Sequence, residues 1–202
     1  LADFLSAHLD FLSAGNMTIV IIVFLSVLVR YFFASGGAYV AAMVPVFATV
    51  NSLGVQGVAG FAVRVEADVS SGLPQFAIVG LPDSAVKESA DRVRSALKNL
   101  GFSYPVSRVT VNLAPAHVRK TGPVYDLPIF LALLCACGQA PMAAPGMAFL
   151  GELSLDGAVR GVAGVLSMAL AARQAGLREL FVPAENAAEA AAAEGVCVYP
   201  VR

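Results

Sequence analysis

Phe61-Ala62-Val63-Arg64-Val65-Glu66-Ala67-Asp68-Val69-Ser70 alternates without a break. Phe61, Val63, Val65, Ala67 and Val69 point one way, and Arg64, Glu66, Asp68 and Ser70 point the other. A period of two over ten residues marks a β-strand with one buried and one wet face. Ser71-Gly72-Leu73-Pro74 follows as a turn, and Phe76–Val79 resumes as a strand, so a hairpin is expected. Gly80-Leu81-Pro82-Asp83 ends that strand, and Asp83 stands where a helix N-cap belongs. Val86, Ala90, Val93, Leu97 and Leu100 then recur at helical spacing until Gly101.

Further along, Arg108–Leu113 alternates again, with Val109, Val111 and Leu113 inward. Asp126 is placed to cap a second helix, Leu127–Cys137, which is apolar all round and therefore expected to be central. Pro128 is tolerated in its first turn. Gly138–Gly146 reads as a loop, Ala148–Leu155 as a strand, Val162–Ala175 as a helix and Leu180–Val182 as a strand. An alanine-rich helix, Glu185–Glu194, and a short strand, Val196–Tyr199, complete the chain. Strands first, then helices and strands in alternation, predict an α/β domain (α+β in its order) with a mixed sheet.

Working outward from this body, residues 1–42 are different in kind. They hold only Asp3, Asp10 and Arg30 as charges, leaving 12 basic and 12 acidic residues for 43–202. Met17–Val29 is a thirteen-residue apolar run, short of the ~20 residues that a spanning helix needs unless Arg30 snorkels and 31–34 are included. Three readings stand side by side: a non-native stretch read through in frame ahead of Met43, a membrane or signal segment within 17–34, and a packed helix. The 202-residue chain as a whole is 58% hydrophobic and 13% charged, with mean hydropathy +0.76, which excludes disorder. Its formal net charge of −1 excludes a wholly basic nucleic-acid binder but not a local basic patch.

Several chemistries fail on residue type and spacing. Cys135, Cys137 and Cys197 with His8 and His117 do not form a four-ligand zinc pattern, so no metal site is expected. Cys135 and Cys137 lie two apart on a helix and read as core fillers, and His117 as a loop histidine. Gly54, Gly57 and Gly60 are spaced three apart, which is not a dinucleotide fingerprint, and read as flexible turns. Lys120-Thr121 lacks the glycine that precedes the lysine of a phosphate loop.

The cations carry more information. Residues 84–120 hold seven basic side chains (Lys87, Arg92, Arg94, Lys98, Arg108, Arg119, Lys120) against Glu88 and Asp91. Lys87, Arg94 and Lys98 share a narrow sector of the helix 84–100, beside its apolar stripe, where they would attract a phosphate backbone. The bland alternative is a solvated face, since Glu88 with Arg92 and Lys87 with Asp91 are i,i+4 pairs. No aromatic residue stands among Lys87, Arg94 and Lys98 within the helix 84–100, so base stacking has no support there.

Seven strings occur in order: Gly80-Leu81-Pro82-Asp83, Val86-Lys87-Glu88-Ser89, Arg92–Asn99, Val109–Ala116, Gly122-Pro123 with Asp126-Leu127-Pro128, Gly151–Gly157 and Val182–Ala190. Together they resemble the N-terminal domain of the YifB/ComM family of magnesium-chelatase-like AAA+ ATPases, from about Thr49 to Val201. The resemblance implies a ribosomal-protein-domain-2-like fold, similar to the proteolytic domain of Lon proteases. It implies an ATP-driven hexameric motor acting on DNA, with branch migration in natural transformation for ComM-type members. This domain, 43–202, would then be a non-catalytic, substrate-facing or regulatory module. ATP and magnesium are expected only with an ATPase module that this chain does not include, and the partners implied are that module, sister subunits of the ring and DNA. Cytoplasmic placement is expected, with membrane association if 17–34 is genuine.

The Lon likeness also allows a residue-level test of proteolysis. A Lon-type domain places a nucleophilic serine just after Gly-Pro and a lysine base on a later helix. Here Val124 follows Gly122-Pro123, and Leu166 stands at the later position. Valine has no atom that attacks a carbonyl and leucine none that takes its proton, so the dyad is degenerate and no catalytic residue is expected. The contact residues expected toward DNA or a partner are Lys87, Arg94, Lys98, Arg119 and Lys120. A divergent Lon-like peptidase and a membrane-tethered interaction domain are the rival readings.

Overall fold

The computed structural model describes residues 47–202, which lie within one compact unit, Pro45–Arg202. The apolar run at 17–34 and the expectations placed on 1–42 lie outside the described residues. Among the described residues the order is β1 (Phe47–Gln56), β2 (Ala59–Ser70), β3 (Gln75–Val79), α1 (Ser84–Asn99), β4 (Arg108–Ala114), α2 (Asp126–Ala136), β5 (Met147–Phe149), β6 (Glu152–Leu153), β7 (Val159–Arg160), α3 (Val165–Gln174), β8 (Glu179–Pro183), α4 (Ala187–Ala191) and β9 (Cys197–Val201). Single 3₁₀ turns, Pro123–Tyr125 and Ala184–Asn186, lead into α2 and α4. Seven strands form one mixed sheet in the order β3-β4-β2-β1-β5-β8-β9, and β6 with β7 form a separate two-stranded ribbon. The mixed α/β class read from the sequence is the class observed.

The strand that decided the class behaves as its alternation requires. Val63, Val65 and Ala67 are buried, and the register sets Val65 beside Leu113 and Ala67 beside Val111 of β4. On its other side β1 adds Val50 opposite Val65 and Ala48 opposite Ala67, all on the same face. Helix α2 packs against β1 and β2. Ile129, Ala132 and Leu133 have no exposed surface, as a helix without a polar face should. Each large aliphatic chain so buried contributes about 1.5–3 kcal/mol. The opposite face is wet along Arg64, Glu66 and Asp68, where Asn112 Nδ2 donates to Glu66 Oε2 at 2.9 Å. Toward the β1–β2 turn that face closes under α3.

The expected hairpin between β2 and β3 does not form. β2 pairs with β1 and β4, and β3 lies parallel to β4 at the sheet edge. The hairpin partner of β2 is β1, a strand that glycines had hidden. Gly54 and Gly60 are not flexible turns but strand residues at close approaches: a Cβ on Gly54 would stand 2.7 Å from Phe61 Cζ, and one on Gly60 2.9 Å from the Ala171 Cβ. Gly57 alone makes the turn, with φ +63. The expected strand Ala148–Leu155 splits into β5 and β6 at Gly151, whose φ of +155 redirects the chain into the ribbon. Helix α3 starts at Val165, after left-handed Gly164, rather than at 162. The alanine-rich helix contracts to Ala187–Ala191.

Candidate functional site

Two places carry chemistry, and both depend on how the chain enters its first two helices. Asp83 caps α1 as its position predicts: its Oδ1 accepts from the Val86 N–H at 2.8 Å. Its Oδ2 accepts from the Gly122 N–H at 3.2 Å. The backbone there is cross-linked again, with Asp83 N–H donating to the Lys120 carbonyl and Lys120 N–H to the Leu81 carbonyl. Residues 118–122 therefore run beside the start of α1.

Asp126 does not cap α2. It is the first residue of the helix, wholly buried, and its carboxylate serves two other elements. Arg92 Nε donates to Oδ2 at 2.6 Å and Arg92 Nη2 to Oδ1 at 3.1 Å; the Ser89 hydroxyl also donates to Oδ1. The Leu153 N–H of β6 adds a bond to Oδ2 at 3.1 Å. Hydrogen bonding to Asp126 holds the Arg92 guanidinium above its ordinary pKa, against the opposing effect of burial. The one acid in an apolar helix thus ties α1, α2 and the β6–β7 ribbon together, because a buried carboxylate must be paired.

The sequence-predicted contact residues separate into two groups. Lys87, Arg94 and Lys98 are exposed along α1, and Arg119 is exposed in the segment beside the start of that helix. Lys120 is a correction. It has no exposed surface, and its ammonium donates to the carbonyls of Val118, at 2.8 Å, and Pro115. Burial pushes its pKa below the ordinary lysine value. Surrounded by its own loop, it holds residues 115–120 and is withdrawn from any surface patch. Tyr104 is the residue that sequence reading missed: the Arg94 guanidinium lies 5.1 Å from its ring centroid. The loop after α1 brings it back, and its ten-residue separation left no periodic signal.

The second place is a cleft of about 690 Å³ at the end of the β1–β2 hairpin. Val55 and Gly57, the Thr121–Val124 segment, Glu152 and Gly161–Gly164 with Met168 wall it. Val124 lies in this wall, 6% exposed, at the entry to α2. Leu166 lies outside the lining, 39% exposed, with its N–H donating to Glu189 Oε1 at 2.9 Å. The Ser167 hydroxyl donates to the Val58 carbonyl and has no base beside it. Tyr125 is buried under Gly54, and burial together with the Asp83 carboxylate pushes its phenol above the ordinary tyrosine value. Glu152 also lines a neighbouring cleft of about 460 Å³ with Arg92, Asp156 and Arg160. Among the described residues no group of three His, Cys, Asp or Glu is arranged to hold a metal.

The sheet, its helical layers and this cleft define an α/β domain of the Mg-chelatase and Lon-like kind. The family model described as subunit ChlI of Mg-chelatase matches residues 65–186. The chain is 47% identical over 152 residues to an uncharacterized protein of Mycobacterium tuberculosis, covering 75% of this chain and 30% of that protein. It is 46% identical over 143 residues to the uncharacterized protein YifB of Salmonella typhimurium (70% and 28% covered). It is likewise 46% identical over 144 residues to competence protein ComM of Haemophilus influenzae (71% and 28%). The chain belongs to the ChlI family of Mg-chelatase-like proteins, among its YifB/ComM members.

It spans under a third of the length of these relatives. A lower similarity, 33% over 143 residues, connects it with Lon protease 3 of Sorangium cellulosum, covering 68% of this chain and 17% of that protease. A second model, the sodium:sulfate symporter transmembrane region, matches residues 1–80. An uncharacterized transporter of Haemophilus influenzae is 66% identical over 51 residues, 25% of this chain and 11% of the transporter. Within the symporter-model match, residues 47–79 hold β1 to β3 of the sheet. Among the described residues no helix is long and apolar enough to cross a membrane.

Proposed function

We propose that this domain is the non-catalytic, DNA-facing N-terminal module of a ComM-like motor, working beside an ATPase module and sister subunits that supply the nucleotide chemistry with ATP and magnesium. The observation that carries the reading is the exposed row of Lys87, Arg94 and Lys98 on α1, with Arg119 at its head. A row of unpaired cations on one helix face binds a phosphate backbone through counterion release. The relationship to a competence protein makes DNA the polyanion of choice. The peptidase reading needs a nucleophile at 124 and a base at 166, and valine and leucine supply neither.

Reversal of Lys87, Arg94 and Lys98 together to Glu is expected to weaken binding of the complete chain to DNA by at least about tenfold at low salt, and to remove most of its salt dependence. Fluorescence anisotropy across a salt series measures both quantities. Equal affinity of the triple variant and the parent at low salt overturns the proposed surface.

The symporter match favours a second reading in which the residues ahead of the sheet tether the domain to a membrane, while the body stays on the cytoplasmic side. The complete chain would then sediment with membranes and be released by detergent but not by high salt. Recovery of the complete chain in the soluble fraction removes this reading and leaves the domain cytoplasmic.

A further inference from the structure

The fold sorts the seven cations of residues 84–120. Arg92 turns inward to Asp126 and takes Glu88 with it, at 3.6 Å, and Lys120 is enclosed by its own loop. What remains along α1 is Lys87, Arg94 and Lys98, none of which has a carboxylate within 4.0 Å among the described residues. At 3.6 residues per turn these three fall within a sector of about 40° and span about 16 Å along the axis. Asp91 borders that sector, about 20° beyond the Lys98 side, and lies between Lys87 and Arg94 along the axis. Arg94 alone is held by a neighbour, the half-buried ring of Tyr104. Stacking on an aromatic face restrains a guanidinium while leaving its fork of N–H groups free for bidentate contact with a phosphate.

We infer that Arg94, pre-positioned by Tyr104, is the central contact of a DNA backbone that runs along α1, and that Asp91 weakens this contact by repulsion. This rests on the DNA-binding reading and adds to it a strand direction, a positioning residue and an opposing one. Lys87 and Lys98 flank Arg94 on either side as mobile point charges, so the strand is registered at Arg94 and followed by the lysines. Asp91 carries its charge at the border of that row, beside the path a phosphate would take, and lowers the affinity that the three cations alone would give.

The complete chain is titrated with fluorescent oligothymidylate at several salt concentrations. With three single-strand phosphate contacts, the parent loses about twentyfold in affinity between about 50 and 200 mM salt, and Arg94→Gln only about sevenfold. Tyr104→Phe retains the ring and the parent affinity. Tyr104→Leu weakens binding by about threefold with the parent salt dependence, since the charge stays but is no longer held. Asp91→Asn tightens binding by about threefold. Arg64→Gln, an exposed arginine on the wet face of the sheet, is the control and changes neither quantity by as much. If the parent binds but Arg94→Gln is no different from Arg64→Gln, the inference is overturned while the DNA reading stands. An affinity unchanged by Tyr104→Leu overturns the positioning role. If the parent fails to bind DNA even at low salt, the reading beneath it falls as well.

Discussion

Alanine in place of Asp126 is expected to lower the unfolding free energy by about 3–5 kcal/mol, the cost of removing one partner from a buried ion pair. The carboxylate has no exposed surface and accepts from Ser89, from two nitrogens of Arg92 and from the Leu153 N–H. Its loss leaves a mostly buried guanidinium with only the partly exposed Glu88 and Glu152 near it among the described residues, and leaves the Leu153 amide and the Ser89 hydroxyl without their acceptor. Asp126→Asn keeps the shape and one acceptor oxygen, so it falls between alanine and the parent. Urea denaturation followed by far-UV circular dichroism measures the three midpoints. A loss below about 1 kcal/mol for the alanine variant would show that the carboxylate is not what joins α1, α2 and the ribbon.

Gly60→Ala is expected to cost about 3 kcal/mol or more, at the upper end of what added methyl groups do in packed interiors. The new Cβ would collide with the Ser167 carbonyl and stand 2.9 Å from the Ala171 Cβ, both on α3. Backbone atoms of a helix cannot rotate away as a side-chain tip can, so either the hairpin or the helix must move. Since Val55 and Gly57 on one side and Gly164 and Met168 on the other wall the same cleft, the variant should also widen it. A thermal melt detects the stability loss, and hydrogen exchange at 55–60 and 165–171 locates the loosening. Gly57→Ala, at an open turn with φ +63, provides the contrast: it meets only backbone strain, with no atom within 4 Å of the added carbon.

Much of this domain was legible in the chain because its signals are local. The alternation at 61–70 and 108–113, the Asp83 cap and the unbroken apolar character of 127–136 each follow from dihedral preference, capping and periodicity over a few residues. What was misread involved partners distant in sequence. β1 was invisible because Gly54, Gly57 and Gly60 suggested turns, whereas two of them are small to admit Phe61 and α3. The β2–β3 hairpin was the nearest pairing the chain offered, and β4, nearly thirty residues later, took that position. Asp126 looked like a cap because a lone acid at the start of an apolar run commonly is one.

The site was legible in part. Lys87, Arg94 and Lys98 declared themselves through helical spacing, and Val124 and Leu166 through their distance from Gly-Pro and the glycines at 161–164. Tyr104 beside Arg94, the burial of Lys120 and the position of Glu152 between two clefts did not.

By itself, then, the sequence determined the α/β class, the two principal helices, the family and the absence of hydroxyl and amine at the Lon-like positions. These depend on residue identity and on repeats shorter than a helical turn or a strand. Only the tertiary structure decided which cations reach solvent, which acid is buried to hold Arg92, and which strand lies beside which. Burial and charge pairing are properties of three-dimensional neighbourhood: the same lysine is a surface charge or an internal brace according to which carbonyls the fold wraps around it.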